Sequence, residues 1–247
     1  MTRRLLPVLL ALPFLAGLFA ARPAGAADST IRLSGKSGIT ISDKVIGAGA
    51  GTDAVVIRNC RDITLRRIKV RSGYRGFYIA DSQGITLDGC EVVDARQQGF
   101  LTNNCRDLRF VGCVARRTKA QHGFYAGGRT QGARWERCEA RDCGRAGIQV
   151  NSEGSGVAAT GVVLTDCTVT GNSRGTHRAD VNFLGVGSPA SRFRITGCRI
   201  DSRKVGVTVA QWQGVKCNGD ILGNTIRGKT KRVDITPGSM SIRWDGK

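Results

Sequence analysis

The stretch GFYIADSQGITLDGCEVVDARQQGF, residues 76–100, opens and closes on Gly-Phe. Between the two lie short runs in which apolar and polar residues alternate, "FYIA" and "GITLD", and one Gly-Cys step. Alternation with a period of two marks strands with one buried face. If the segment is one unit of an array, its landmarks must return at a fixed interval, and they do. Gly76-Phe77, Gly99-Phe100, Gly123-Phe124 and Gly147-Ile148 follow one another at 23, 24 and 24 residues. Ala54-Val55 stands 22 residues earlier, and Val181 and Val207 continue the series after longer insertions. A second register keeps the same beat: Gly89-Cys90, Gly112-Cys113, Arg137-Cys138, Asp166-Cys167, Gly197-Cys198 and Gly223-Asn224.

A repeat of this length means a solenoid, a propeller or an array. A propeller blade needs four strands and about twice as many residues, and no segment carries the apolar stripe of a helix. Two or three strands in each unit of about 23 residues fit a coil of a parallel β-helix. On these repeats the chain resembles the right-handed parallel β-helix proteins of the pectate-lyase-like superfamily over residues 54–227. The resemblance implies an all-β solenoid of about seven coils, with ligands along the outward face of one strand column. Stacked coils would turn Val55, Phe77, Phe100, Phe124, Ile148, Val181 and Val207 inward. Ile57, Ile79, Thr102, Ala126, Val150, Phe183 and Val209 would follow two residues later.

The ends read differently. Residues 1–26 carry Arg3 and Arg4, an apolar stretch and Ala24-Gly25-Ala26, the three-part layout of a secretory signal peptide. The mature protein is therefore expected to be secreted or periplasmic, with no stable membrane insertion. Residues 27–53 are expected to form an N-terminal cap or partial coil. Residues 228–247 are expected to form a C-terminal strand or cap, with Trp244 over the last coil. Such covers keep open sheet edges from associating.

The chain has 38 basic and 19 acidic side chains, a net charge of +19. Cleavage after residue 26 removes three arginines and no acid, so the excess persists. It favours an anionic partner. For an exported protein we expect an acidic polysaccharide, since no nucleic-acid recognition motif is present. Nine cysteines invite a disulfide framework. Five of them, Cys90, Cys113, Cys138, Cys167 and Cys198, share one repeat position and are expected to stack as an unbridged buried ladder continued by Asn224. No CxxC pair exists and His122 and His177 are the only histidines, so no metal or other cofactor is expected.

Outward positions beside the first core column read Tyr78, Leu101, Tyr125, Gln149 and Asn182, then Asn103 and Asn151 two residues on. Arg75, Gln98 and His122 stand just ahead of the strands. Aromatic faces suit sugar rings, amides suit hydroxyls and cations suit carboxylates. The sharpest cluster is KAQHGFYAGG, which puts Lys119, His122 and Tyr125 in one coil beside Arg145 in the next. β-Elimination of a uronate needs a cation for the carboxylate, a base and an acid, and these side chains supply such groups. Two turn readings stand beside that one, His122 as a corner residue and Tyr125 as an ordinary exposed strand residue. A second cluster, SRGTHRADVNF, adds His177, Asp180 and Asn182, and Trp212 offers a stacking surface.

Departures from the superfamily narrow the chemistry. The outward acids of calcium-dependent pectate lyases reduce here to Asp180, with Glu153 nearby. Of the polygalacturonase motifs only Arg67-Ile68-Lys69 is spelled out, and the Asp-Pro-His-Asp string of mannuronan epimerases is absent. Glycoside hydrolysis by facing carboxylates has no candidate pair. The expectation is a carbohydrate-active protein on a uronate-type polymer, a metal-independent lyase or epimerase. The alternative is a non-catalytic polysaccharide-binding or structural module.

Overall fold

A computed structural model describes residues 29–152, 156–174, 179–236 and 241–246. The segment read as a signal peptide, together with Glu153 and His177, lies outside the described residues. Twenty-six strands form three parallel sheets of nine, nine and eight strands, and each turn of chain gives one strand to each sheet. The third sheet's eight strands define eight full turns, one more than the repeat count suggested, and a ninth rung is present in the other two sheets. The extra turn begins ahead of the recognised repeats. Ile31–Ser34, Thr40–Ser42 and Val45–Gly47 supply all three strands of the first coil.

The unit quoted above is one coil: Phe77–Ala80 in the first sheet, Gln83–Asp88 in the second and Glu91–Val93 in the third. Its closing Phe100 pairs in register with Phe77 behind and Phe124 ahead. The first-sheet strands run unbroken in this register from Val55 through Ile148, Val181 and Val207. All seven members of that column are fully buried. Phe77 stacks on Phe100 at 4.7 Å between ring centroids and Phe100 on Phe124 at 4.6 Å. Phe110 and Trp135 stack behind them in the second sheet. Each large buried side chain contributes about 1.5–3 kcal/mol.

Two turn positions explain the glycines. The residue ahead of the cysteine column is left-handed in coil after coil, including Gly89 (φ 59°), Gly112 (56°) and Gly197 (65°). Arg137 and Asp166 adopt the same conformation at φ 51° and 53°, at the steric cost that glycine avoids. The glycine before each first-sheet strand has a different reason. A Cβ on Gly76 would lie 2.5 Å from the Gly99 carbonyl oxygen, and one on Gly99 would lie 2.7 Å from that of Gly123. Each glycine makes room for the next coil.

All nine cysteines are buried and none is disulfide-bonded. In the column of five, each thiol donates to a backbone carbonyl, as Cys113 does to Leu87 at 3.2 Å. Asn224 ends the column and holds Cys198 N at 2.9 Å. Burial pushes the Cys105 and Cys143 thiols up to about 11. At neutral pH they are small apolar packing groups with a weak donor.

Candidate functional site

The first sheet's outward face carries the polar column. Tyr78, Leu101, Tyr125, Gln149 and Asn182 are consecutive partners in the parallel ladder, so neighbours stand about 4.8 Å apart. Beside them runs the turn leading into each strand. There Gly76 N bonds to Gln98 O and Gly99 N to His122 O, which fixes Arg75, Gln98 and His122 on successive rungs. Arg145 lies one residue earlier in its coil, and its N–H meets the Gln121 carbonyl at 3.1 Å.

The face and the turn enclose an open cleft of about 460 Å³. Arg75, Gln98, His122 and Arg145 line one side, and Tyr78, Tyr125 and Gln149 form the floor. Asn103 and Asn151 lie on the far edge, and Trp212 belongs to the lining as well. Trp212 comes from a later coil on a tight hairpin. Its N–H and carbonyl pair with Val215 at 2.9 Å, and Gln213 and Gly214 take the positive φ of 49° and 78° that a two-residue turn requires. Ten of the fourteen site residues expected from the sequence thus converge here, joined by Leu101 of the same outward column and by Gln121, which the sequence did not single out.

Tyr125 is held in place. Its hydroxyl donates to Asn151 Oδ1 at 3.1 Å, and its ring centroid is 5.4 Å from that of His122. Gly127, two residues on, leaves the space the ring occupies, since a Cβ there would fall 2.7 Å from Tyr125 Cε1. His122 itself is only 2 % exposed and meets the cleft along part of its ring. Gln149 and Asn151 are recessed as well, and Gln149 Oε1 accepts the Asn182 amide at 3.1 Å.

Arg75 is clamped. Its guanidinium makes two bonds of 2.8 Å to Asp53 and lies 4.2 Å from the Tyr78 ring centroid, with Arg58 on the same ring at 4.8 Å. Asp53 was not among the sequence candidates. Its signal was there, because it precedes Arg75 by 22 residues, the interval between Val55 and Phe77.

Three of the expected residues that are described are not part of the lining. Lys119 sits on the turn, in register with Ala95, and points its length into solvent rather than the cleft. Asn182 stands behind Gln149 and is spent on that amide. His177 lies outside the described residues. Asp180, expected outward in the groove, is fully buried at the position that glycine holds elsewhere. Its Oδ2 accepts from Asn172 N at 3.1 Å and Nδ2 at 2.7 Å, and its Oδ1 accepts from Ser202 Oγ at 2.7 Å. Desolvation lifts its pKa to about 6 against those bonds. The exception in the repeat therefore fills a corner of the core.

Among the described residues no group of three or more His, Cys, Asp or Glu could hold a metal ion. Among the described residues no helix is long and apolar enough to cross a membrane.

These features define a right-handed β-helix with a lateral cleft. A family model described as "Right handed beta helix region" matches residues 29–185, more than half of the chain, and the chain belongs to that family. Solved structures with a similar course include the A-modules of two Azotobacter vinelandii mannuronan C-5 epimerases. AlgE4 is 15 % identical with a TM-score of 0.36, covering 85 % of this chain and 79 % of its own. AlgE6 is 13 % identical with a TM-score of 0.41, covering 85 % and 80 %. PfbA, a surface adhesin of Streptococcus pneumoniae, is 10 % identical with a TM-score of 0.28, covering 85 % and 72 %. No curated protein sequence matches the chain.

Proposed function

We propose that the chain is an exported carbohydrate-active β-helix protein that takes an acidic polysaccharide along the first-sheet cleft. The carrying observation is that one ladder brings a stacked tyrosine, buried amides, His122, Tyr125 and the exposed Arg145 to adjacent rungs of a single groove. Polymers suit a groove that runs with the stacking axis, because every coil repeats the contact.

Catalysis in this reading is metal-independent. The Arg145 guanidinium neutralises the uronate carboxylate and so acidifies the proton at C5. His122 or Tyr125 removes that proton, and the electron pair forms the C4=C5 bond as the C4–O glycosidic bond breaks. The other residue returns a proton to the leaving oxygen. If the proton instead comes back to C5 from the opposite face, the product is an epimer. Asn151 orients Tyr125 through the 3.1 Å bond. Lys119 acts only at long range here, since it does not line the cleft.

The burial of His122 favours a second reading, a binding module in which the imidazole is a packing support for Tyr125. Ultraviolet absorbance of the unsaturated uronate separates the two. Mature protein is incubated with acidic polysaccharides in the presence of chelator, and retention on each polymer is scored in parallel. Absorbance growth that His122→Ala abolishes supports the lyase. Retention without absorbance and without solvent-proton exchange at C5 supports the binding module.

A further inference from the structure

We propose that the cleft selects a heteropolysaccharide in which an acidic sugar is flanked by neutral ones, in preference to a homopolymer of uronates. This rests on the reading of the cleft as a polysaccharide site and concerns where along it a negative charge is accepted.

The rungs of the ladder are about 4.8 Å apart, close to the length of one pyranose in an extended chain. A polymer lying along the axis therefore presents about one sugar to each coil. A homouronate carries a carboxylate on every sugar, facing the groove at each rung or at alternate ones, and would need a cation wherever one meets the cleft. The cleft does not offer that. Arg75 is already matched by the Asp53 carboxylate through two 2.8 Å bonds, and its flat face is taken by Tyr78. What it has left is donor capacity for a hydroxyl. The next rung holds Gln98 and Leu101, and the one after holds His122 and Tyr125. Lys119 is outside the lining. Among the described lining residues Arg145 is the exposed cation that makes no ion pair, so it is the one within the lining left for a ligand anion; Arg58, also exposed, stands outside the lining against the far Tyr78 ring.

The remaining lining is amide and aromatic: Asn103, Gln149, Asn151 and Trp212 beside Gln98. These groups satisfy hydroxyls and cover sugar faces. A carboxylate pressed against them loses water without gaining a counter-charge, which is unfavourable. The pattern is one acceptor site for charge within the lining at the Arg145 rung, beside His122 and Tyr125, with the rungs between it and Arg75 carrying no free cation. This places the acidic sugar at the residues assigned to chemistry and uses its neighbours for grip.

The test compares three oligosaccharides of equal length at fixed ionic strength: alternating acidic–neutral, all-uronate and all-neutral. Affinities are measured by calorimetry with the mature protein. The expected order puts the alternating oligomer at least tenfold tighter than either of the others. Arg145→Gln, an exposed change, should bring the alternating oligomer down to the neutral one. Gln98→Arg should narrow the gap by strengthening the all-uronate oligomer. Equal or tighter binding of the all-uronate oligomer to the unmutated protein overturns this inference while leaving the polysaccharide reading in place. Failure of all three to bind overturns both.

Discussion

The outer faces of the second and third sheets and the cleft of the first are cut from the same ladder, yet they handle charge in opposite ways. On the outer faces several arginines are answered by an acid one rung away, while others, such as Arg134 and Arg194, stand exposed with no ion pair among the described residues. Arg109 meets Glu136 at 3.0 Å, Arg116 meets Glu139 at 3.2 Å, and Arg117 meets Asp94 at 2.8 Å. At the C-terminal end Arg192 and Arg243 share Asp220, whose carboxyl their bonds hold well below the usual range. In the cleft Arg75 is matched by Asp53 and set against the Tyr78 ring, and Arg145 is exposed and makes no ion pair among the described residues. A parallel coil copies any side chain to within about 4.8 Å of its successor, so paired charges are the cheap way to cover a solvated face. What sets the cleft apart is that its unanswered cation stands among amides and aromatic rings.

That contrast can be broken from the inside first. Phe100 underlies the cleft floor, stacked on both sides, and Phe100→Ala should cost about 3–5 kcal/mol of unfolding free energy in a denaturant titration. A loss confined to a few tenths would mean that the ladder does not transmit packing between coils.

Asp180 gives the next largest effect, and its sign follows from the raised pKa. The folded chain takes up the proton near pH 6, while an unfolded aspartate does so near 3.8. Between these values the native state binds more protons, so this group makes the protein less stable as pH rises from about 4 to about 6. Asp180→Asn keeps the shape and still accepts from Asn172. The stability difference between variant and parent should therefore grow in the variant's favour across that window, by up to about 3 kcal/mol. A difference that stays flat with pH would show that the buried carboxylate does not titrate there.

Gly127→Ala should act on the cleft alone. The new methyl meets the Tyr125 ring, and ligand affinity or turnover should drop several-fold while the melting temperature changes little. An unaltered ligand titration would remove Tyr125 from the site. The smallest effect belongs to the outer face, where Arg109→Ala breaks an exposed pair and should change stability by less than about 1 kcal/mol.

The core was readable because burial repeats. Phe77, Phe100 and Phe124 are held by register, and register follows from the two-residue alternation that any buried strand needs. The column of outward residues was readable for the same reason. What the repeat hid were the places where one coil departs from its neighbours. Asp180 was read as an outward acid because it precedes the inward Val181, where Gly76, Gly99, Gly123 and Gly147 stand in earlier coils, yet its carboxylate is consumed by Asn172 and Ser202 across the corner. The first coil was read as a cap or partial coil, because Thr30 stands ahead of Ile31 where later units place glycine. The clamp of Asp53 on Arg75 was visible only as an interval, with nothing local to mark it. Trp212 reaches the cleft through a hairpin outside the repeat.

The most direct test of the account compares two variants in the same binding experiment. Arg145→Gln removes the unanswered cation of the cleft, and the double variant Arg134→Gln, Arg194→Gln removes two exposed cations from the second sheet's outer face. Affinity for an acidic oligosaccharide is measured for each at fixed ionic strength. The expected result is a loss of tenfold or more for Arg145→Gln and little change for the outer-face pair. A larger loss from the outer-face pair would contradict it and move the binding surface to the opposite side of the solenoid.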